Sequence, residues 1–87
     1  MAVVVLPRSL VALLPGSERQ SDVEGQTVRE ALERLDARWP GLLDRVCEPG
    51  PVLRPHLNVF VDGEQADLSS PIRARSKIHV IPAVSGG

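Results

Sequence analysis

Two runs at opposite ends of the chain leave its fold little choice. Ala2 to Leu6 is rich in β-branched residues and closes on Pro7, and Lys77-Ile78-His79-Val80-Ile81 is a second strand-like run, with Ile78 to Ile81 as the expected strand. Successive residues of a strand point to opposite faces, so a run that is apolar on both belongs inside a sheet and not at its margin. The first and last strands are therefore expected side by side at the centre of one sheet. They can pair parallel, because a helical segment and the material after it supply the long crossover that a parallel pair requires.

That helical segment is the sharpest element between them. Thr27-Val28-Arg29-Glu30 has the form of a capping box, in which the Thr27 hydroxyl and the Glu30 carboxylate satisfy amides at a helix start. Val28, Ala31, Leu32 and Leu35 follow at helical spacing, leaving Arg29, Glu33, Arg34 and Asp36 on the other face. Pro40 should end the helix, since the residue before a proline is pushed out of helical geometry, with Trp39 sealing that end against the core. Leu42, Leu43 and Val46 fit one further turn, and Glu48-Pro49-Gly50-Pro51 reads as a loop. Upstream, Leu10 to Leu14 is fenced by Pro7 and Pro15-Gly16 and reads as a short strand or packed loop, whereas polar Glu18 to Val23 reads as an edge strand. Downstream, Leu57, Val59 and Val61 alternate with Asn58 and Phe60 as a period-two strand ending in an Asp62-Gly63 turn. Leu68 and Ile72 are the expected core anchors of the mixed segment Glu64 to Ser76. Together these elements describe an α+β domain, a mixed sheet with one main helix packed on one face.

A chain of 87 residues holds one modest core, so residues 1–87 are read as a single domain with 83–87 as a protruding flexible C-terminal tail. The net charge of -1 gives no general attraction for nucleic acid or an anionic bilayer, and Trp39 and Phe60, the only aromatics, cannot form a base-stacking platform. The single cysteine, Cys47, excludes an internal disulfide and a cysteine-built zinc site. No apolar stretch approaches the ~20 residues that span a bilayer, and the N-terminus has no basic segment ahead of its apolar run. Neither nucleic acid nor a membrane is expected as a partner, no metal site is expected, and the expected location is cytoplasmic.

What remains for chemistry is the tail. The last strand runs without a spacer into Pro82-Ala83-Val84-Ser85-Gly86-Gly87. Glycine has no Cβ and can thread a slot too narrow for a side chain, so Val84, Ser85 and Gly86 read as a threading segment. The group they would deliver is the main-chain carboxylate of Gly87, ionised at neutral pH and a poor electrophile until activated. Glycines are also common in frayed chain ends; their abutment on an apolar strand favours the functional reading here.

These elements match the β-grasp (ubiquitin-like) architecture, and the chain resembles the ThiS/MoaD family of ubiquitin-like sulfur carrier proteins. The similarity runs over nearly the whole chain: the opening Val-rich strand, Gly25-Gln26-Thr27-Val28-Arg29-Glu30-Ala31-Leu32, His56-Leu57-Asn58-Val59-Phe60-Val61-Asp62-Gly63-Glu64, and Val80-Ile81-Pro82-Ala83-Val84-Ser85-Gly86-Gly87. Within the family it looks most like the CysO-type carriers of cysteine biosynthesis, in the long loop before the Asn-Val-Phe-Val strand and the Ile-Pro-Ala-Val approach to the tail. It departs from many relatives where Arg75-Ser76 replaces a Gly-Asp turn before the last strand. The resemblance implies a carrier and not a catalyst, with no cofactor bound by this chain. A ubiquitin-activating-type adenylating enzyme would use ATP and Mg to adenylate Gly87, a sulfur donor would displace AMP and leave a thiocarboxylate, and an acceptor synthase would take the sulfur. In the cysteine pathway that synthase is pyridoxal-phosphate-dependent and a JAMM-type metalloprotease frees the product. The resemblance also admits the small subunit of molybdopterin synthase and a ubiquitin-like protein-conjugation tag.

Few side chains are candidates for docking those partners. Phe60 lies opposite the Leu57/Val59/Val61 face, so it should point to the outer face of the sheet, joined by Ile81, unless Leu13 and Leu14 cover that face. Arg73, Arg75 and Lys77 form a basic cluster that could steer docking onto an acidic surface or be ordinary solvated charge. Cys47 reads as a small packed residue, and His56 and His79 lack a carboxylate partner legible in the sequence.

Overall fold

The computed structural model describes residues 1–83, so Val84, Ser85, Gly86 and Gly87, which carry most of the expected tail, lie outside the described residues. In chain order the elements are β1 (Ala2–Val5), α1 (Arg8–Val11), β2 (Gln20–Val23), α2 (Val28–Arg38), α3 (Leu42–Val46), β3 (Cys47–Glu48), β4 (Val52–Leu53), β5 (Leu57–Val61), β6 (Glu64–Ala66) and β7 (Lys77–Pro82). The main sheet has the order β2-β1-β7-β5-β6. As the end runs require, β1 and β7 are adjacent and parallel, with Val3 opposite Lys77, Val4 opposite Ile78 and Val5 opposite His79. Polar β2 is indeed an edge strand, antiparallel to β1.

One face of the sheet is buried by α2. Val28, Ala31, Leu32 and Leu35 are fully buried and meet Val4, Val59, Ile78 and Val80 in a single core. Burying side chains of the Val, Leu and Ile class stabilises the fold by about 1.5–3 kcal/mol each. The helix begins as its capping box demands: the Glu30 amide donates to Thr27 Oγ1 at 3.2 Å, and Glu30 Oε1 accepts the Gln26 amide at 3.1 Å. It ends at half-buried Trp39, which packs on the core just before Pro40. Asp36 Oδ1 then accepts the Gly41 and Leu43 amides at 3.2 and 3.0 Å, starting the short turn α3, whose Leu42 and Val46 are buried. Leu68 and Ile72 anchor the mixed segment as expected.

Three local expectations are revised. Leu10 to Leu14 is not a strand; its first part lies in α1, where the Pro7 carbonyl accepts the Leu10 and Val11 amides, and the remainder is a packed turn that buries Leu14. Leu10 and Leu14 sit four residues apart and are both buried, while Leu13 is exposed, so a helical period governed the segment. The Glu48-to-Pro51 loop is the tip of a small hairpin, with Cys47 opposite Leu53 and Glu48 opposite Val52, turned by Gly50 at φ +141. The two central strands are also not covered on both faces. Val3, Val5 and His79 are half-buried on the outer face, where their inner neighbours Val4, Ile78 and Val80 are buried.

The two turns around the last strand explain how it is placed. Asp62 and Gly63 both have positive φ, +51 and +87, the requirement of a two-residue type I′ hairpin turn between β5 and β6. Asp62 also pins the start of β7: its Oδ1 accepts the Lys77 amide at 2.9 Å and its own amide donates to the Lys77 carbonyl at 2.9 Å. Just before the last strand, Ser76 is buried and closes a turn through its hydroxyl, which accepts the Arg73 amide at 2.8 Å. Its carbonyl accepts the Val3 amide at 2.9 Å, tying that turn to β1.

Candidate functional site

Strand parity on β7 divides its residues into two sets. Ile78 and Val80 point into the core, and Lys77, His79 and Ile81 point to the outer face. On β5 the outward pair is Asn58 and Phe60, since Leu57 and Val59 are buried. The registers place Val5, His79 and Phe60 in one row across three adjacent strands, with Asn58 and Ile81 in the next row toward the chain end. Neighbouring strands are ~4.8 Å apart, so the first row spans about 10 Å. Phe60 and Ile81 are diagonal neighbours on that surface, a separation within the reach of an aromatic ring. The sheet therefore does bring Phe60 and Ile81 together. Ile81 is 42% exposed, and Phe60 is half-buried. Leu14 is in the core and cannot cover this face, and Leu13 is 55% exposed.

The surface abuts the point where the chain leaves the sheet. Beyond β7 the Ala83 amide still donates to the His56 carbonyl at 2.7 Å, the last anchoring bond among the described residues. Ile81 is thus two residues from the tail root. Lys77 occupies the far end of the same face, beside Val3, while Arg73 and Arg75 belong to the turn that precedes the strand. All three cations are exposed and lie at or just before the start of β7, at the opposite end of the strand from the tail root.

Sequence reading missed a second feature at the tail root. Leu13, Gly41, Asp44, Arg45, Arg54 and His56 line an open cleft of about 520 Å³. No linear signal could have found it, because its residues come from well-separated stretches joined only by the fold. Arg54 is committed to structure there, donating through Nε and Nη2 to the Asp44 carbonyl at 2.9 and 2.6 Å. A more apolar cleft of about 530 Å³ lies between Thr27, Arg29, the β3–β4 hairpin and Leu68, but it shares no residue with the tail root.

Titratable groups give no alternative centre of reaction. Burial pushes the Cys47 thiol above its ordinary value, outweighing the nearby Arg29 and Arg54 charges, which keeps it a protonated, packed thiol at neutral pH. The Asp67 carboxyl is held below the usual range chiefly by the Ser69 hydroxyl at 2.7 Å and then by the Ser69 amide at 2.9 Å, a turn-closing arrangement. Among the described residues there is no cluster of His, Cys, Asp or Glu that could hold a metal ion, and no helix is long and apolar enough to cross a membrane.

Comparison with known proteins covers nearly the whole chain, including the residues that follow this surface. The model of the ThiS family matches residues 4–87. Small archaeal modifier protein 1 of Haloferax volcanii is 39% identical over 67 residues, covering 76% of this chain and 77% of the relative. Its crystal structure superposes with a TM-score of 0.73 at 36% identity, covering 99% of this chain and 98% of the other. A chain in the crystal structure of the Amycolatopsis orientalis BexX/CysO complex superposes with a TM-score of 0.86 over all of both chains, and Mycobacterium tuberculosis CysO with 0.85 over 97% of this chain and 100% of the other. Those two are 24% and 23% identical and speak to the fold, a ubiquitin-like β-grasp.

Proposed function

This chain belongs to the ThiS family, and from that premise we propose that it is a sulfur carrier whose Gly87 carboxylate is adenylated by a partner enzyme and converted to a thiocarboxylate. The observation that carries the reading is that the family match runs through Gly87 from a strand pinned within two residues of the tail. Residues 84–87 can extend up to ~14 Å beyond Ala83. That reach lets the carboxylate enter an active site while the sheet stays on the enzyme's surface.

The chemistry follows from what a carboxylate lacks. Gly87 attacks the α-phosphorus of ATP, pyrophosphate leaves, and the resulting acyl adenylate carries a good leaving group. Sulfur at the sulfide level, supplied by the donor as hydrosulfide, then adds to the acyl carbon, the bond to the AMP oxygen breaks with its electron pair leaving on AMP, the sulfur's proton passes to solvent, and a thiocarboxylate results. ATP and Mg belong to the partner, a ubiquitin-activating-type enzyme. The chain itself binds, positions and presents, and acts as a co-substrate. Phe60 and Ile81, with Val5 beside them, are the proposed docking surface, and Lys77, Arg73 and Arg75 favour an acidic partner surface at its far end. The proposed destination of the sulfur is cysteine or another sulfur-containing metabolite made in the cytoplasm, through a pyridoxal-phosphate-dependent synthase and a JAMM-type metalloprotease.

The test is direct. Incubated with its adenylating enzyme, ATP and a sulfur source, the protein should exchange one oxygen for sulfur at Gly87 by intact mass. Exchange that survives deletion of Gly87, or fails with an enzyme shown to activate it, overturns the reading. A second reading, conjugation of Gly87 to lysines of other proteins, is favoured by the 39% identity to a modifier protein. Its signature differs from the familiar Gly-Gly remnant: no Lys or Arg lies between Lys77 and Gly87, so trypsin would leave Ile78–Gly87 on the target.

A further inference from the structure

Lys77 is the only lysine among the chain's 10 basic residues. The distinction matters to a protein that carries an activated acyl group. An arginine guanidinium stays protonated at neutral pH and does not attack an acyl adenylate, whereas an amine forms a durable amide. Cys47, which would give a thioester, is buried. Lys77 by contrast is exposed and lies on the outer face beside Val3. Its backbone is fixed by the two bonds to Asp62, and among the described residues its ammonium takes part in no salt bridge.

We propose that Lys77 is the site at which this protein is itself acylated, by the activated Gly87 of a second copy. The inference rests on the adenylation of Gly87 proposed above and adds to it an acceptor. Geometry selects the second copy over the same molecule. From Lys77 to Ala83 the chain rises six extended residues, about 20 Å at ~3.3 Å each. Even with the ~6 Å of the lysine side chain added, residues 84–87 at ~14 Å would close that distance only if fully extended straight back along the strand, and reversing the chain occupies about four residues, which is the entire tail. The amine is therefore beyond the reach of its own carboxylate. In trans, the neutral Lys77 Nζ adds to the acyl carbon of the Gly87 adenylate. A C–N bond forms, the bond to the AMP oxygen breaks with its electron pair leaving on AMP, and the amine's surplus proton passes to solvent. The product is two copies joined by a Gly87–Lys77 isopeptide.

The experiment uses the whole chain with its adenylating enzyme and ATP, without a sulfur donor, beside the Lys77→Arg variant. Wild type should yield a covalent dimer whose tryptic digest contains Ser76–Gly87 bearing Ile78–Gly87 on Lys77, and Lys77→Arg should lower the dimer at least tenfold. A parallel reaction with the sulfur donor measures oxygen-for-sulfur exchange in each protein, and the dimer yield is divided by that exchange, so that any effect of the substitution on docking, where Lys77 has been placed, is removed from the comparison. Exchange without any wild-type dimer, or a dimer undiminished in Lys77→Arg, overturns the assignment while leaving the carrier reading intact. Loss of the exchange itself in wild type removes both.

Discussion

Replacing Ile81 by Asp tests the docking surface without touching the tail. Ile81 is 42% exposed and faces Asn58 across the strands, so its loss should change folding stability by no more than ~1 kcal/mol, the span of strand propensities. A docked partner would bury that exposed fraction. Complete burial of an isoleucine is worth about 1.5–3 kcal/mol, and 42% of it is ~0.6–1.3 kcal/mol. Aspartate loses this gain and places an unpaired carboxylate in the contact, at a further cost of about 1–3 kcal/mol. The combined penalty of roughly 2–4 kcal/mol corresponds to a ~30- to ~700-fold fall in apparent affinity. The assay is kcat/KM for ATP–pyrophosphate exchange by the adenylating enzyme, with urea midpoints measured on the same samples. Ile81→Val, which keeps most of the apolar area, should stay near wild type. If Ile81→Asp is folded and still activated within about threefold of wild type, the outer face is not where the enzyme docks.

Three other outcomes are expected. Gly86→Ala should slow activation while leaving the urea midpoint unchanged, because an added methyl obstructs a narrow entry; equal exchange rates would refute threading. Thr27→Ala should remove the hydroxyl that caps the Glu30 amide and cost about 1 kcal/mol, lowering Tm by ~4–8 °C in thermal denaturation. The Asp67 carboxyl is held below its ordinary range by Ser69, so folding favours its charged form and the stabilisation is complete above about pH 4 and lost as pH falls. Asp67→Ala should thus be less stable than wild type at neutral pH, with the gap in urea midpoints narrowing as pH falls below about 4; a gap that does not narrow in acid would contradict this.

How much of this could be read in advance depended on whether the signal was local. The capping box, the helical spacing of Val28 to Leu35 and the Asp62-Gly63 turn each encode their geometry within a few residues, and each appears where expected. The parallel pairing of the end strands was legible because two interior strands in one small sheet have few places to lie. Leu10 to Leu14 misled because a short apolar run carries both periods, and burial of Leu10 and Leu14 on one side decided for the helix. The β3–β4 hairpin was hidden by prolines that read as loop. Phe60 and Ile81 were placed from strand parity alone, whereas the cleft of Leu13, Arg45, Arg54 and His56 exists only after the chain has folded.

The position of β7 between β1 and β5 has a consequence for synthesis. It is the last of these strands to be translated, yet without it the sheet falls into two halves, β2-β1 and β5-β6, with no ladder joining them. A nascent or prematurely terminated polypeptide lacking that strand has no completed scaffold to offer an enzyme. Any copy that has attained the native state has thereby certified that its reading frame ran through β7, the strand that leads into the residues proposed to be activated.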